Sequence, residues 1–324
     1  MADIYADGEL TTGADDGTSW ADAYRTEASL QTGIDGLVAG ETLHTTRTFT
    51  LTAPIDIDQA SGGIGTPIRV TGYNYNSGTP VNDGTYAVFD ANSAAASCIV
   101  SGSVDSWTVH NIEFKNATGD NVSGKTSTSN YWVFVNCSSH DAGGDGWGNS
   151  AGSNFRYSLF VHCHAYSCVN GFDLSTDCVP VLCKMYDLTG DGFPLVRSCA
   201  IFCEAHDITG DAFDMSGGTG AAGIVGCVGD NNGATVYGTT APYFAVASRL
   251  TGTGIGLKGD GSTMILDLYN YITAATVSSG ATVDQQVRGQ DTRVTTGDEG
   301  YIDAAGGNYG LTNSAAARRT AVVL

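Results

Sequence analysis

Positive charge is what this sequence lacks most. Of 324 residues only 14 are Lys or Arg, against 34 Asp or Glu, for a formal charge of −20. Such a surface repels phosphate backbones and anionic bilayers, which excludes nucleic acid as a partner class. A polyanionic substrate would be repelled as well, unless cations bridge it. Long apolar runs are also missing, and nothing approaches the roughly 20 residues of a membrane span. The opening MADIYADGEL has neither a basic segment nor an apolar core, so no Sec-type signal peptide is visible. Several catalytic signatures are absent: there is no GxSxG, no GxxxxGK[ST] and no HExxH. TGTGIG around Gly252 lacks the helix that a dinucleotide loop requires. The nine cysteines contain no CxxC pair, so a zinc site is not expected.

What the chain has instead is a repeat. FVNCSSHDAGGDGW, FVHCHAYSCVNGFDL, PVLCKMYDLTGDGFPL, AIFCEAHDITGDAFDM and IVGCVGDNNGATVY follow one another, anchored by Cys137, Cys163, Cys183, Cys203 and Cys227. Their spacing of 26, 20, 20 and 24 residues is one turn of a stacked coil. Alternating apolar residues precede each cysteine, including Val135, Val161, Val181 and Ile201. A Gly/Asp turn follows, then a bulky residue about ten positions on: Trp147, Phe172, Phe193, Phe213. One such unit cannot bury its own apolar face, so stacking is the fold. The 44 glycines, with Asn and Asp, supply the corners.

The expected class is therefore all-β: a right-handed parallel β-helix solenoid with a short N-terminal capping helix, the hand following the crossover preference. Residues 1–47 read as an entry strand and that helix. Thr26 caps it, Leu30, Ile34 and Leu37 share one face, and Gly40 ends it. Its place ahead of the solenoid suits it to cover the open end of the core. Residues 48–324 read as the β-helix and a C-terminal tail in one continuous domain, with strands at 48–57 and 67–73. In the coil carrying TVHNIEF, Ile112 takes the cysteine slot and Val122 the aromatic slot. Cys178 and Cys199 suggest a second cysteine column. Buried cysteines behave as small hydrophobes, so free thiols are expected.

The segments GTSWADAYRT, VAGETL, GTPIRVTGYN and YIDAAGGNYGLTNSAAARR, taken with the repeat, resemble the right-handed parallel β-helix superfamily of pectate-lyase-like enzymes and phage tailspikes. The likeness spans nearly the whole chain. It implies the fold but no single chemistry, because that scaffold serves lyases, hydrolases, epimerases and non-catalytic virion proteins. No stretch matches the catalytic signature of one lyase family.

With the cysteine as an inward reference, odd offsets point outward. The next position reads Ser138, His164, Lys184, Glu204, and the third reads His140, Tyr166, Tyr186, His206. Uronate-cleaving lyases of this fold need a base beside the substrate carboxylate and a cation to neutralise it. Lys184 is the candidate base and His164 its partner; a plain polar outer face is the alternative. His140, Tyr166, Tyr186, Glu204, His206 and Phe202 offer a ligand-binding surface for sugar rings or a protein. Two aspartate columns, Asp141, Asp187 and Asp207 with Asn231, and Asp145, Asp191 and Asp211, serve either as turn residues or as calcium ligands.

Two functions follow as expectations. The first is a virion-associated or filament-type structural protein, such as a phage fibre, tail or head-decoration component, that binds host-surface glycan. The second is an extracellular polysaccharide lyase cleaving uronate polymers by calcium-assisted β-elimination. Exposed Leu182, Tyr186 and Phe202 point to a homo-oligomer, a trimer or a filament, or to docking on a virion. The expected location is the virion or the extracellular space.

Overall fold

The computed structural model describes residues 3–294, except for 77–78, 125–128, 149–154, 174–176, 216–221, 231, 239–242, 247, 252–254, 260–263, 269–270, 274–275, 280–284 and 289–292. Beyond residue 250 it describes backbone alone. Asn231 and the C-terminal tail lie outside the described residues. The chain divides into two compact units, Met1–Lys184 and Met185–Leu324.

In the first unit the coils lay down three long parallel sheets and a two-stranded one that pairs Ser129–Asn130 with Phe155–Arg156. Sheet A runs in the order Asp3–Asp7, Thr42–Thr46, Ile68–Asn76, Trp107–His110, Val133–Val135, Leu159–Val161, Val179–Val181. Sheet B runs Thr48–Thr50, Ala87–Asp90, Ile112–Lys115, Ser138–His140, His164–Tyr166. Sheet C runs Ile55–Ile57, Ile99–Ser101, Val122–Gly124, Trp147–Gly148. The second unit repeats the plan: Cys199–Ile201, Glu204–Ile208 and Asp211–Asp214 each pair in parallel with the strand one coil on. The chain is a right-handed parallel β-helix, as the repeat predicts.

Single-residue left-handed corners recur at three places in the described coils. Between sheets A and B the backbone turns through left-handed φ at Asn111, Asn136, His162 and Leu182 in the first unit, and at Phe202 in the second. The next residue is thereby aimed inward, and Ile112, Cys137, Cys163, Cys183, Cys203 and Cys227 are all fully buried. At the exit from sheet B, Asp141, Asp187 and Asp207 take φ of 54–55°. The entry to sheet A repeats the device at Ser106, Tyr131, Tyr157 and Asp177. Asparagine and aspartate tolerate this conformation best. Asn136 adds a rung of its own, its Nδ2 donating to Asn111 Oδ1 at 2.8 Å.

Like residues stack inside. Trp147 lies on Phe172 at 4.5 Å and 3° in the first unit, and Phe193 on Phe213 at 5.5 Å and 9° in the second. Phe134 lies on Phe160 at 5.1 Å. Each buried ring contributes about 2–3 kcal/mol of hydrophobic stabilisation, with roughly 0.5–1.5 more for a ring pair.

The helix Glu27–Gly36 opens on a capping box between Thr26 and Ser29 and buries Leu30 and Ile34. It ends at Gly36, not Gly40, because Leu37 turns to extended backbone at ψ 140°. Its role is visible in one side chain. Gln31 donates to the Asp56 carbonyl at 2.7 Å and accepts the Asp56 N–H at 2.8 Å. The glutamine amide thus stands where a neighbouring strand would, and closes the exposed edge of sheet C.

All nine cysteines are free. The expected second column does not form. Cys178 directly follows the corner at Asp177 and is buried, while Cys199 lies two residues beyond the corner at Arg197 and is half-exposed. A one-residue slip in a strand turns a side chain to the other face.

Candidate functional site

The outer face of sheet B carries the residues singled out in the sequence. Within the first unit, cross-strand register aligns Lys115, His140 and Tyr166 in one row, and Glu113, Ser138 and His164 in another. The Lys184 N–H donates to the Cys163 carbonyl as the His164 N–H does to Cys137, which extends the second row by Lys184. His164 and Lys184 are therefore neighbours, and Lys184 is exposed.

His140, expected in an exposed column, is buried. Its ring lies 4.4 Å from Tyr166 at 7°, its Nδ1 is 2.8 Å from Asp141 Oδ2, and its Nε2 is 3.3 Å from Glu113 Oε1. The segment that leads into strand Ala87–Asp90 is tied to the corner of this coil. Asn136 Nδ2 donates to the Gly84 carbonyl at 2.8 Å, and burial pushes the half-buried Tyr86 hydroxyl up to about 12. Burial alone would lower His140, but its bonds to Glu113 and Asp141, and their charges, outweigh this and raise it. The bond from His140 holds Glu113 below the usual carboxylate range, helped by Lys115 at 3.2 Å. His140 is thus a fixed member of an ion-pair network.

Glu113 and Lys115 escaped the sequence reading, although the signal was present. Counting one and three residues on from Ile112, as from each cysteine, reaches both.

In the second unit His206 Nε2 lies 3.8 Å from Glu204 Oε2, and Tyr186 is exposed. Phe202 is 56% exposed, but its ring lies over Gly226. Gly226 sits at φ 64° and a Cβ there would strike that ring, so glycine serves both conformation and packing. Leu182, in the first unit, is exposed at its own corner.

The two aspartate columns behave differently. Asp141, Asp187 and Asp207 occupy left-handed corners and are exposed. The other column forms a ladder to the backbone of the next coil. Asp145 Oδ1 accepts the Asn170 N–H at 3.0 Å, and Asp191 Oδ1 accepts the Asp211 N–H at 2.8 Å. Asp120, missed in the sequence because it lies eight beyond Ile112 rather than a cysteine, begins the ladder. It is buried, its Oδ1 accepts the Asp145 N–H at 2.9 Å, and its Oδ2 has no hydrogen-bond partner among the described residues. The absent side chain of Gly148 leaves room for that oxygen. Burial, then the charges of Asp120 and Asp173, push the Asp145 carboxyl up to about 7.

An orphaned buried carboxylate oxygen beside a carboxyl of raised affinity for protons fits a hard divalent cation with oxygen ligands. Among the described residues no cluster of three or more His, Cys, Asp or Glu could hold a metal ion. Asp120 and Asp145 are the two carboxylates that could contribute to such a site, and alone they do not complete one.

No protein-family model and no curated protein matches this sequence. Solved structures do match. Pectate lyase Pel9A superposes with a TM-score of 0.60 at 16% identity, covering 91% of this chain and 77% of its own. An alginate lyase from Paenibacillus sp. str. FPU-7 gives 0.54 at 12%, covering 91% and 99%. A GH136 lacto-N-biosidase from Eubacterium ramulus gives 0.51 at 9%, covering 90% and 67%. At these identities the likeness is one of fold: the chain shares the right-handed parallel β-helix fold of these structures.

Proposed function

We propose that the chain acts on a polysaccharide, cleaving uronate-containing polymers by calcium-assisted β-elimination. The observation that carries this reading is the Asp120–Asp145 pair, with its unpartnered buried oxygen and its carboxyl raised to about 7. Calcium held there would neutralise the substrate carboxylate and so acidify the adjacent C–H. That also answers how a chain of charge −20 could accept a polyanion. Lys184, exposed and next to His164, is the base that would take the proton; the carbon–oxygen bond to the leaving sugar breaks as the double bond forms. The matched structures support this choice over a virion role, since two of those named above are lyases and the third a biosidase.

The raised Asp145 favours one other reading. A carboxyl that stays protonated near neutral pH is the acid a glycoside hydrolase needs, and a second carboxylate such as Asp120 would assist it. Incubation with uronate polymers and neutral glycans separates the two. Elimination yields an ultraviolet-absorbing unsaturated end and stops with a calcium chelator. Hydrolysis yields saturated ends and does not.

A further inference from the structure

The outer face of sheet A, on the other side of the corner from the residues above, carries a second set of polar and aromatic groups. Strand Ile68–Asn76 presents Arg69, Thr71 and Tyr73 outward, alternating with buried Ile68 and Val70. Alternate residues repeat about every 6.6 Å along a strand, so a cation, a hydroxyl and an aromatic ring form a strip about the length of a disaccharide. Register sets Thr108 beside Arg69 and His110 beside Thr71 on one flank. On the other flank it sets Thr42 beside Arg69 and His44 beside Thr71. Tyr73 is held firmly: its hydroxyl is 2.8 Å from His44 Nδ1, His44 Nε2 is 3.2 Å from Asp3, and Trp20 packs edge-on at 5.7 Å.

Arg69 is the informative residue. In this acidic chain Arg25 pairs with Asp15, Arg47 with Asp7, and Lys115 with Glu113. Among the described residues, no hydrogen bond or ion pair engages the Arg69 guanidinium, although the residue is half-buried. A half-buried guanidinium with an open fork is built for a planar oxyanion. Its charge reaches His110, whose affinity for a proton is lowered first by burial and then by Arg69, so a second positive charge beside the guanidinium is disfavoured.

We propose that Arg69, Thr71, Tyr73 and His110 form a binding subsite for an anionic sugar: Arg69 takes the carboxylate, Thr71 and His110 take ring hydroxyls, and Tyr73 contacts the sugar ring. The subsite rests on the proposed function only for the class of ligand. It adds to that function a place, on sheet A, where the polymer is held.

The test is calorimetric titration of the whole chain carrying Lys184→Ala, which removes turnover, with an oligouronate, its methyl-esterified form and a sulfated oligosaccharide. The oligouronate is expected to bind about tenfold more tightly than its ester. Arg69→Gln should erase that difference, and Arg69→Glu should reduce oligouronate binding further, with melting curves unchanged. His110 ring resonances should titrate at higher pH with oligouronate bound. Tighter binding of the sulfated sugar, lost in Arg69→Gln, would keep the anion site and reassign its source. Oligouronate affinity that ignores the ester, or is the same in both Arg69 variants, would overturn the subsite. If elimination is never detected but ester-sensitive, Arg69-dependent binding is, the lyase function falls and the subsite stands.

Discussion

Asp120 accepts the backbone N–H of Asp145 through Oδ1 at 2.9 Å, while its buried Oδ2 meets no donor among the described residues. One coil on, Asp145 does the same for Asn170 with a carboxyl raised to about 7. The backbone ladder needs only an acceptor oxygen at this slot, and Asn170 shows that an amide belongs in it. The negative charge of Asp145 is therefore not required by the fold.

Asp145→Asn follows from that. With its carboxyl at about 7 in the folded chain and near 3.8 otherwise, the native state binds the extra proton between those values. Stability contributed by the protonated form is then full below about pH 4 and lost as pH rises toward 7. The variant should gain about 1–3 kcal/mol at pH 8 and nothing at pH 4, allowing for partial exposure. Urea unfolding at the two values checks this, and equal gains would refute the sign. Calcium added to the unsubstituted chain at pH 8 should recover a similar increment, because it binds only the folded state.

His140→Gln follows the same pH sense, but as a loss that shrinks with rising pH rather than a gain that grows. His140 is raised in the folded chain, so its contribution is complete below its ordinary value near 6.5 and disappears as pH rises through the folded value. Glu113 is lowered, so its share is lost only as pH falls below the ordinary carboxylate range. The substitution should cost about 1 kcal/mol near pH 5.5 and little at pH 9. A loss that does not change with pH would make this a packing contact alone.

Thiol chemistry should separate the cysteines by position. Denaturing alkylation is expected to label all nine. In the native chain Cys199, half-exposed with its thiol raised to about 11, should react first. Cys163, pushed well above the ordinary thiol by complete burial, should resist until unfolding. Mass analysis over time gives the order, and early labelling of Cys163 would contradict the buried stack.

The fold was legible because the cysteine recurs at the one position that a left-handed corner aims inward. The coils from Asn111 to Gly226 repeat that corner, so Cys137 and Trp147 report the same register. The site was harder to read. His140 has the correct offset but is buried among Tyr166, Glu113 and Asp141, partners drawn from three coils that no local pattern announces. Asp120 and Glu113 were passed over because Ile112 stands where later coils have cysteine. Cys199 was placed wrongly by one residue, enough to reverse its face. Arg69 shows only in three dimensions, where the acidic residues that would pair with it are absent among its described neighbours.

The central claim is calcium-assisted elimination, and scission of a uronate polymer panel, followed at the ultraviolet band of the unsaturated product, tests it most directly. The account predicts a rising signal with calcium on at least one polymer, loss of that signal on chelation, and a fall of about 100-fold or more in Lys184→Ala. In Asp145→Asn the calcium requirement should rise about tenfold, as for the loss of one charged ligand. Unsaturated product that forms equally well with chelator present, or saturated ends released from a neutral glycan alone, would contradict it.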